Sequence, residues 1–297
     1  MICDMSIVKT NSIKAWVLAA RPKTLTGAAV PVMIGVSAAY ADGYFSFVPA
    51  LLCLLFALFM QIDANFVNDY FDYKKGLDDE HRLGPKRACA EGWITMSAMK
   101  KGIAITTVLS CMTGIPLVFY GGYWLVLVGF ACVLFTFLYT TTLSRMGLGD
   151  LLVLVFFGIV PVCLTYYVQT HTFSYVVLLL SLACGLVIDG LLVVNNYRDY
   201  DNDKRGGKIT LVVMTGKRFA ENLYLWLGII AVCLCQVLWV TDRIVAALLP
   251  LLFFVLHLMT WKRMRDIGSG KQLNMVLGDT ARNIFVFGLI VSIGLII

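Results

Sequence analysis

Residues 47–87 read FVPALLCLLFALFMQIDANFVNDYFDYKKGLDDEHRLGPKR. Up to Val67 this stretch carries one charged residue, Asp63. At 1.5 Å per helical residue it is long enough to cross the roughly 30 Å hydrocarbon core of a bilayer. From Asn68 onward the character reverses, and amides, carboxylates and bases crowd together. The same reversal recurs where VLLLSLACGLVIDGLLVV (177–194) gives way to NNYRDYDNDKRGGK (195–208).

The rest of the chain repeats the apolar theme. Of 297 residues, 60% are hydrophobic and 14% charged, with mean hydropathy +0.83. A water-soluble domain carries about a quarter charged residues. The pattern predicts an all-α integral membrane protein with nine spans, at 14–41, 45–67, 98–120, 123–142, 148–169, 173–197, 217–240, 243–261 and 279–297. No linker divides the chain, so one membrane domain over 1–297 is expected. Nor does a cleavable leader stand out, because Arg21-Pro22-Lys23 falls inside the first apolar stretch.

All 24 Lys and Arg except Arg243 fall on alternate connections. By the positive-inside rule this puts the N-terminus and both charged clusters in the cytoplasm and the C-terminus outside. The net charge of +6 is then a topological signature, and no nucleic-acid partner is implied. Most of the nine cysteines lie in apolar spans and none forms a CxxC pair, which excludes a disulfide framework. The three histidines are scattered, so a histidine metal site is not expected.

Asn68-Asp69-Tyr70-Phe71-Asp72-Tyr73 and Asn195-Asn196-Tyr197-Arg198-Asp199-Tyr200 share the pattern N-x-Y-x-D-Y, positions 68 and 195 being 127 residues apart. Four spans separate the copies, so both face one side of the membrane. Two four-helix halves plus a ninth helix, bundled around a shared cavity, follow. Asn68 and Asp72 stand one helical turn apart, as do Asn195, Asp199 and Asp203, and Asp69, Asp78, Asp79 and Asp201 add oxygens nearby. Two such rows repel unless a cation lies between them. An all-oxygen donor set favours Mg²⁺, which binds best when phosphate oxygens complete its shell. Lys86 and Arg87 follow the first row and Lys204, Arg205 and Lys208 the second, as a diphosphate requires.

These motifs resemble those of the UbiA superfamily of intramembrane prenyltransferases, whose two Asp-rich motifs hold Mg²⁺ and an isoprenyl diphosphate. Asn68 and Asp72 match the first motif, and Asp199 and Asp203 the second. Gly76 stands where a third acid is usual, and the next acids are Asp78 and Asp79, either of which is the remaining ligand. That shift is similar to the 1,4-dihydroxy-2-naphthoate polyprenyltransferase branch of menaquinone biosynthesis. So are ARPKTL (20–25), GLGDLLVLVFFGIVPVCLTYYVQT (147–170) and NNYRDYDNDKRGGKITLVVMTG (195–216).

The resemblance implies transfer of a polyprenyl chain to dihydroxynaphthoate with loss of CO2 and diphosphate, in the inner membrane of a bacterium, with no obligate protein partner. It implies Asn68, Asp72, Asp78, Asn195, Asp199 and Asp203 as metal and diphosphate ligands. Lys86, Arg87, Arg145 and Lys208 would contact phosphate oxygens. Arg21 either meets the acceptor carboxylate or snorkels to the interface. Asp150 either caps its helix or activates the acceptor hydroxyl, with Tyr139 nearby. Tyr166 and Gln169 either line the acceptor pocket or, near Tyr167, belong to an interfacial belt. Asp63 and Asp189, acids within spans, face the cavity or a partner on another helix. A transporter would place its site near the midplane, and a structural scaffold leaves the paired acid rows without a role.

Overall fold

A computed structural model describes residues 8–76 and 82–297, and the regular elements among them are all helical. Asp78, Asp79, Glu80 and His81 lie outside the described residues. The helices are α1 (Ile13–Ala20), α2 (Thr26–Ala41), α3 (Phe47–Lys74), α4 (Met96–Gly121), α5 (Leu125–Thr141), α6 (Gly149–Thr170), α7 (Tyr175–Arg205), α8 (Leu211–Thr215), α9 (Lys217–Thr241), α10 (Ile244–Ile267) and α11 (Leu273–Ile296).

Seven of these, α3, α4, α6, α7, α9, α10 and α11, are long and apolar enough to cross a membrane. The expected first span is broken. Arg21 adopts φ +51°, Pro22–Thr24 forms a 3₁₀ turn, and α1 and α2 meet with a 52° bend. Counted as one span, the bent pair makes eight. The expected fourth span, α5, is an apolar helix of 17 residues, about 26 Å long, a little short of the roughly 30 Å hydrocarbon core.

Both motif helices outrun the bilayer. α3 has 28 residues and α7 has 31, about 42 and 46 Å at 1.5 Å per residue, against a hydrocarbon core of roughly 30 Å. The helical register therefore continues past the apolar run and carries the polar motif residues with it. α7 is also the best-covered helix, packed against α6, α9, α11 and α2. A Cβ on Gly158 of α6 would stand 2.8 Å from Gly185 Cα of α7, so glycines let the two backbones meet.

The π-helical segment Leu154–Ile159 precedes Pro161 in α6. Proline has no N–H to donate and its ring crowds the preceding turn, and the wider π turn relieves that crowding. Large apolar side chains such as Phe119, Leu127, Leu252 and Met259 point outward, as a lipid-facing surface requires.

The first tyrosine of each repeat copy is buried against the following hairpin partner: Tyr70 packs with Met99 and Ile103 of α4, and Tyr197 with Ala220 and Tyr224 of α9. One isolated parallel bridge, Met146 with Ile209, joins the loops after α5 and α7, and Ile209 N–H donates to the Arg145 carbonyl at 3.2 Å.

Candidate functional site

A cavity of about 960 Å³ opens among α2, α3, α5, α6 and α7. Its deep walls are apolar, with Phe56, Met60, Phe135, Phe156, Val160 and Leu164. Its mouth carries Asn68, Asp72, Asn195, Asp199 and Asp203 together with Arg21, Arg87, Arg145 and Lys208. The ends of two long helices and three loops thus deliver acids and bases to one place.

The first acid row is held by the loop that returns from α3. Arg87 Nη2 donates to Asp72 Oδ2 at 2.9 Å, with Arg87 buried. Thr140 of α5 donates to Asn68 Oδ1. Asp69, counted from sequence as a nearby oxygen source, turns elsewhere. It accepts from the backbone N–H groups of Ala88 and Cys89, both at 2.9 Å, and is 1% exposed. Asp69 therefore fixes the loop that carries Arg87.

The second row is held from within its own helix. Arg198, 2% exposed, donates to both oxygens of Asp199, from Nε at 2.8 Å and Nη2 at 2.5 Å, and to Asn195 Oδ1 at 2.7 Å. Its Nη1 donates to Asn274 Oδ1 of α11 at 2.9 Å. Lys208 Nζ lies 3.3 Å from Asp203 Oδ2. Asp201 instead faces outward and pairs with Lys217 at 3.4 Å.

The break between α1 and α2 aims Arg21, Lys23 and Thr24 at the cavity. Ending α1 orphans backbone acceptors, and Asn65 of α3 satisfies one by donating to the Ala20 carbonyl and also to Thr24 Oγ1, each at 2.9 Å. Arg21 Nη2 lies 3.8 Å from Asp69 Oδ2. Deeper, Tyr139 and Asp150 line the same space. Asp150 does not cap its helix, since Leu148 holds the cap position and Asp150 lies in the first turn. Asp150 Oδ1, Asp189 Oδ1 and Asn196 Oδ1 are buried with no hydrogen-bond partner among the described residues, and Asp150 and Asn196 border the cavity.

Three expected contacts lie elsewhere. Lys86 is half-exposed, outside the cavity lining, and pairs with Glu91 at 2.6 Å. Tyr166 Oη donates to Asp42 Oδ2 at 2.7 Å at the opposite end of the bundle, where Arg243 Nη2 donates to Asp42 Oδ1, also at 2.7 Å. Gln169 exchanges two hydrogen bonds with the Ser46 backbone, at 2.7 and 3.0 Å. Their neighbours Thr165 and Val168 line the cavity, but Tyr166 and Gln169 do not. Asp63 likewise serves helix packing, accepting from Thr106 at 2.5 Å and Thr107 at 3.1 Å of α4.

Sequence reasoning assigned no role to Arg198, Asn274, Lys23 or Thr140. The signal for Arg198 was available, because the first copy of the repeat has Phe71 at that position.

No group of three or more His, Cys, Asp and Glu among the described residues could hold a metal by itself. The donor set still fits Mg²⁺, whose usual protein ligands are one or two carboxylates, with waters and substrate phosphates completing the octahedron. The carboxylates of Asp72, Asp199 and Asp203 stay partly exposed at 23%, 19% and 13%, and each is balanced by a base.

Residues 28–276 match the model of the UbiA prenyltransferase family. A 1,4-dihydroxy-2-naphthoate octaprenyltransferase from Escherichia coli strain K12 is 38% identical over 229 residues, 74% of each chain. One from Mycobacterium tuberculosis is 34% identical over 289 residues, covering 95% of this chain and 96% of the relative. Among solved structures, a UbiA homolog from Archaeoglobus fulgidus bound to GPP and Mg²⁺ superposes with TM-score 0.69 at 15% identity, covering 95% of this chain and 99% of that one.

Proposed function

The chain belongs to the UbiA prenyltransferase family, and from that premise we propose that it transfers a polyprenyl chain from its diphosphate to 1,4-dihydroxy-2-naphthoate, giving demethylmenaquinol, the hydroquinone form of demethylmenaquinone. The observation that carries this reading is the convergence of both acid rows and the bases Arg87, Arg145 and Lys208 on the mouth of one apolar cavity. The acceptor is supported by the relatives from E. coli and M. tuberculosis, which are named for it.

Asn68, Asp72, Asn195, Asp199 and Asp203 would hold Mg²⁺, with Asp78 or Asp79 from outside the described residues. When bound, Mg²⁺ supplies Lewis-acid stabilisation of charge on the diphosphate. Arg87, Arg145 and Lys208 neutralise the departing phosphate oxygens. The apolar walls exclude water from the allylic cation left when the C–O bond breaks, and Phe135 and Phe156 offer it aromatic faces. Arg21 receives the acceptor carboxylate. Asp150 and Tyr139 hold the hydroxyl proton. The new C–C bond forms at the carboxylate-bearing ring carbon, and CO2 leaves as the C–C bond to it breaks and returns its electron pair to the ring.

The same reading counts the bent α1–α2 pair and α5 as spans, making nine in one membrane domain. The acid-bearing end lies in the bacterial cytoplasm and the C-terminus outside, since only Arg243 of the Lys and Arg lies on the opposite side.

Purified enzyme in detergent, given 1,4-dihydroxy-2-naphthoate, a polyprenyl diphosphate and Mg²⁺, should form demethylmenaquinol, detected by mass as such or as the quinone that air makes from it, and release CO2, and EDTA should abolish both. Prenylation of 4-hydroxybenzoate alone would overturn the acceptor while keeping the family. Binding of Mg²⁺ and diphosphate with no acceptor turned over would overturn the reaction.

A further inference from the structure

Arg198 is one of the largest fully buried side chains in the protein, yet it touches no space a substrate fills and is absent from the cavity lining. A guanidinium is costly to bury unless its donors are met. Here they are met by Asp199, Asn195 and Asn274. Asn274 in turn donates from Nδ2 to the carbonyl of Leu83 at 2.8 Å. The chain of contacts thus runs from the second acid row, through Arg198 and α11, to the loop that begins at Arg82 and ends at Arg87.

Gly84 closes the arrangement from the loop side. A Cβ there would stand 2.7 Å from Arg198 Nη2 and 3.2 Å from Cζ. The tip of a free arginine would move aside. This one is held on three residues, so the loop can seat on it only where residue 84 has no side chain.

We propose that Arg198 and Asn274 form a positioning clamp. It sets the carboxylate of Asp199 and the amide oxygen of Asn195 for the metal and diphosphate, and it docks the loop that brings Arg87 to the other acid row. The geometry of one motif is thereby transmitted to the other through α11. Arg198 lies outside the cavity lining and acts through Asp199 and Asn195, whereas Asn274 borders the cavity and acts here through Arg198 and the loop. The metal half of this inference rests on the proposed function, whereas the docking half rests on the contacts alone.

The test separates the halves. Without substrate, trypsin cleavage after Arg82, Lys86 and Arg87 reports loop docking. Arg198→Gln and Asn274→Asp should each be cut roughly fivefold faster than wild type, the opening expected from one lost hydrogen bond. Gly84→Ala should be cut faster in the wild-type background but add nothing in Arg198→Gln, because the shorter side chain removes the clash. With substrates, Arg198→Gln should raise the Mg²⁺ concentration for half-maximal velocity about 10–100-fold, and Arg198→Lys should not restore it, lacking the planar fork. Asn274→Asp keeps an oxygen for Arg198 but loses the donor to Leu83. It should raise the KM for donor and leave the Mg²⁺ requirement unchanged. Wild-type cleavage rates in Arg198→Gln and Asn274→Asp, with strictly additive Gly84→Ala, would overturn the clamp. If the wild type transfers no prenyl group, the proposed function fails and the trypsin arm still decides the docking. If Arg198→Gln does not fold, Asn274→Asp and Gly84→Ala decide it.

Discussion

The two copies of N-x-Y-x-D-Y begin from the same design and neutralise their acids in opposite ways. In α3, Asp72 waits for Arg87, which arrives fifteen residues later on a loop held by Asp69. In α7, Asp199 is gripped by the residue before it, and Arg198 reaches Asn195 as well. One acid row depends on a loop being seated and the other is set within a helix. The substitution of Arg198 for the Phe71 of the first copy, and of Asn196 for Asp69, is the difference in sequence. A duplicated motif has been divided into a fixed arm and a loop-borne arm.

The largest expected effect strikes both arms. Asp72→Asn and Asp199→Asn should each reduce turnover about 100–1000-fold, as removal of a preorganised electrostatic group does. Asp199→Asn should also lower the unfolding temperature in detergent by more than Asp72→Asn does, because Arg198 is fixed within its helix and cannot leave its buried site, whereas Arg87 sits on a loop that can carry it out to water. Equal melting of the two variants would erase the proposed asymmetry. Arg87→Gln comes next: initial rates across donor concentration should show KM raised roughly tenfold, the loss of one charge-assisted contact. Asp69→Asn follows, with roughly a fivefold rise in donor KM at unchanged kcat, since one loop amide loses its acceptor. A fall in kcat instead would place Asp69 in the chemistry.

The smallest effect lies at the opposite end. Tyr166→Phe and Gln169→Ala should leave both kinetic constants within about twofold of wild type while costing about 1 kcal/mol of stability each. Thermal unfolding beside steady-state rates would show it, and a large kinetic defect would restore these residues to the acceptor pocket.

Much of this was legible in the sequence. The apolar runs located the membrane-length helices, and the i, i+4 spacing placed Asn68 with Asp72 and Asn195 with Asp199 and Asp203 on the cavity. Hydropathy could not show that the first span breaks at Arg21, because Ala20 and Leu25 are apolar on both sides of the bend. Nor could it end α7 correctly. The apolar run stops near 197, whereas the helix continues to Arg205, as the i, i+4 spacing of Asn195, Asp199 and Asp203 requires. Of the two readings of Tyr166 and Gln169, the cavity lining is the one the structure does not give them: their neighbours Thr165 and Val168 line the cavity, while these two side chains turn to Asp42 and the Ser46 backbone. Lys86 and Arg87 are adjacent and indistinguishable as charges. Which one turns inward is settled by Asp69 holding the next two backbone amides.

The Met146–Ile209 bridge has a consequence for how this sequence can change. Arg145 and Lys208 come from different halves of the chain, yet a single main-chain hydrogen bond between Ile209 and Arg145 sets where one stands relative to the other. Side chains on these two loops can be exchanged without disturbing that register. Their lengths cannot: one residue inserted or deleted between 142 and 149, or between 206 and 210, would slide one base past the other. Homologous insertions and deletions should therefore accumulate at the Asp42 end of the bundle and avoid these two short connections.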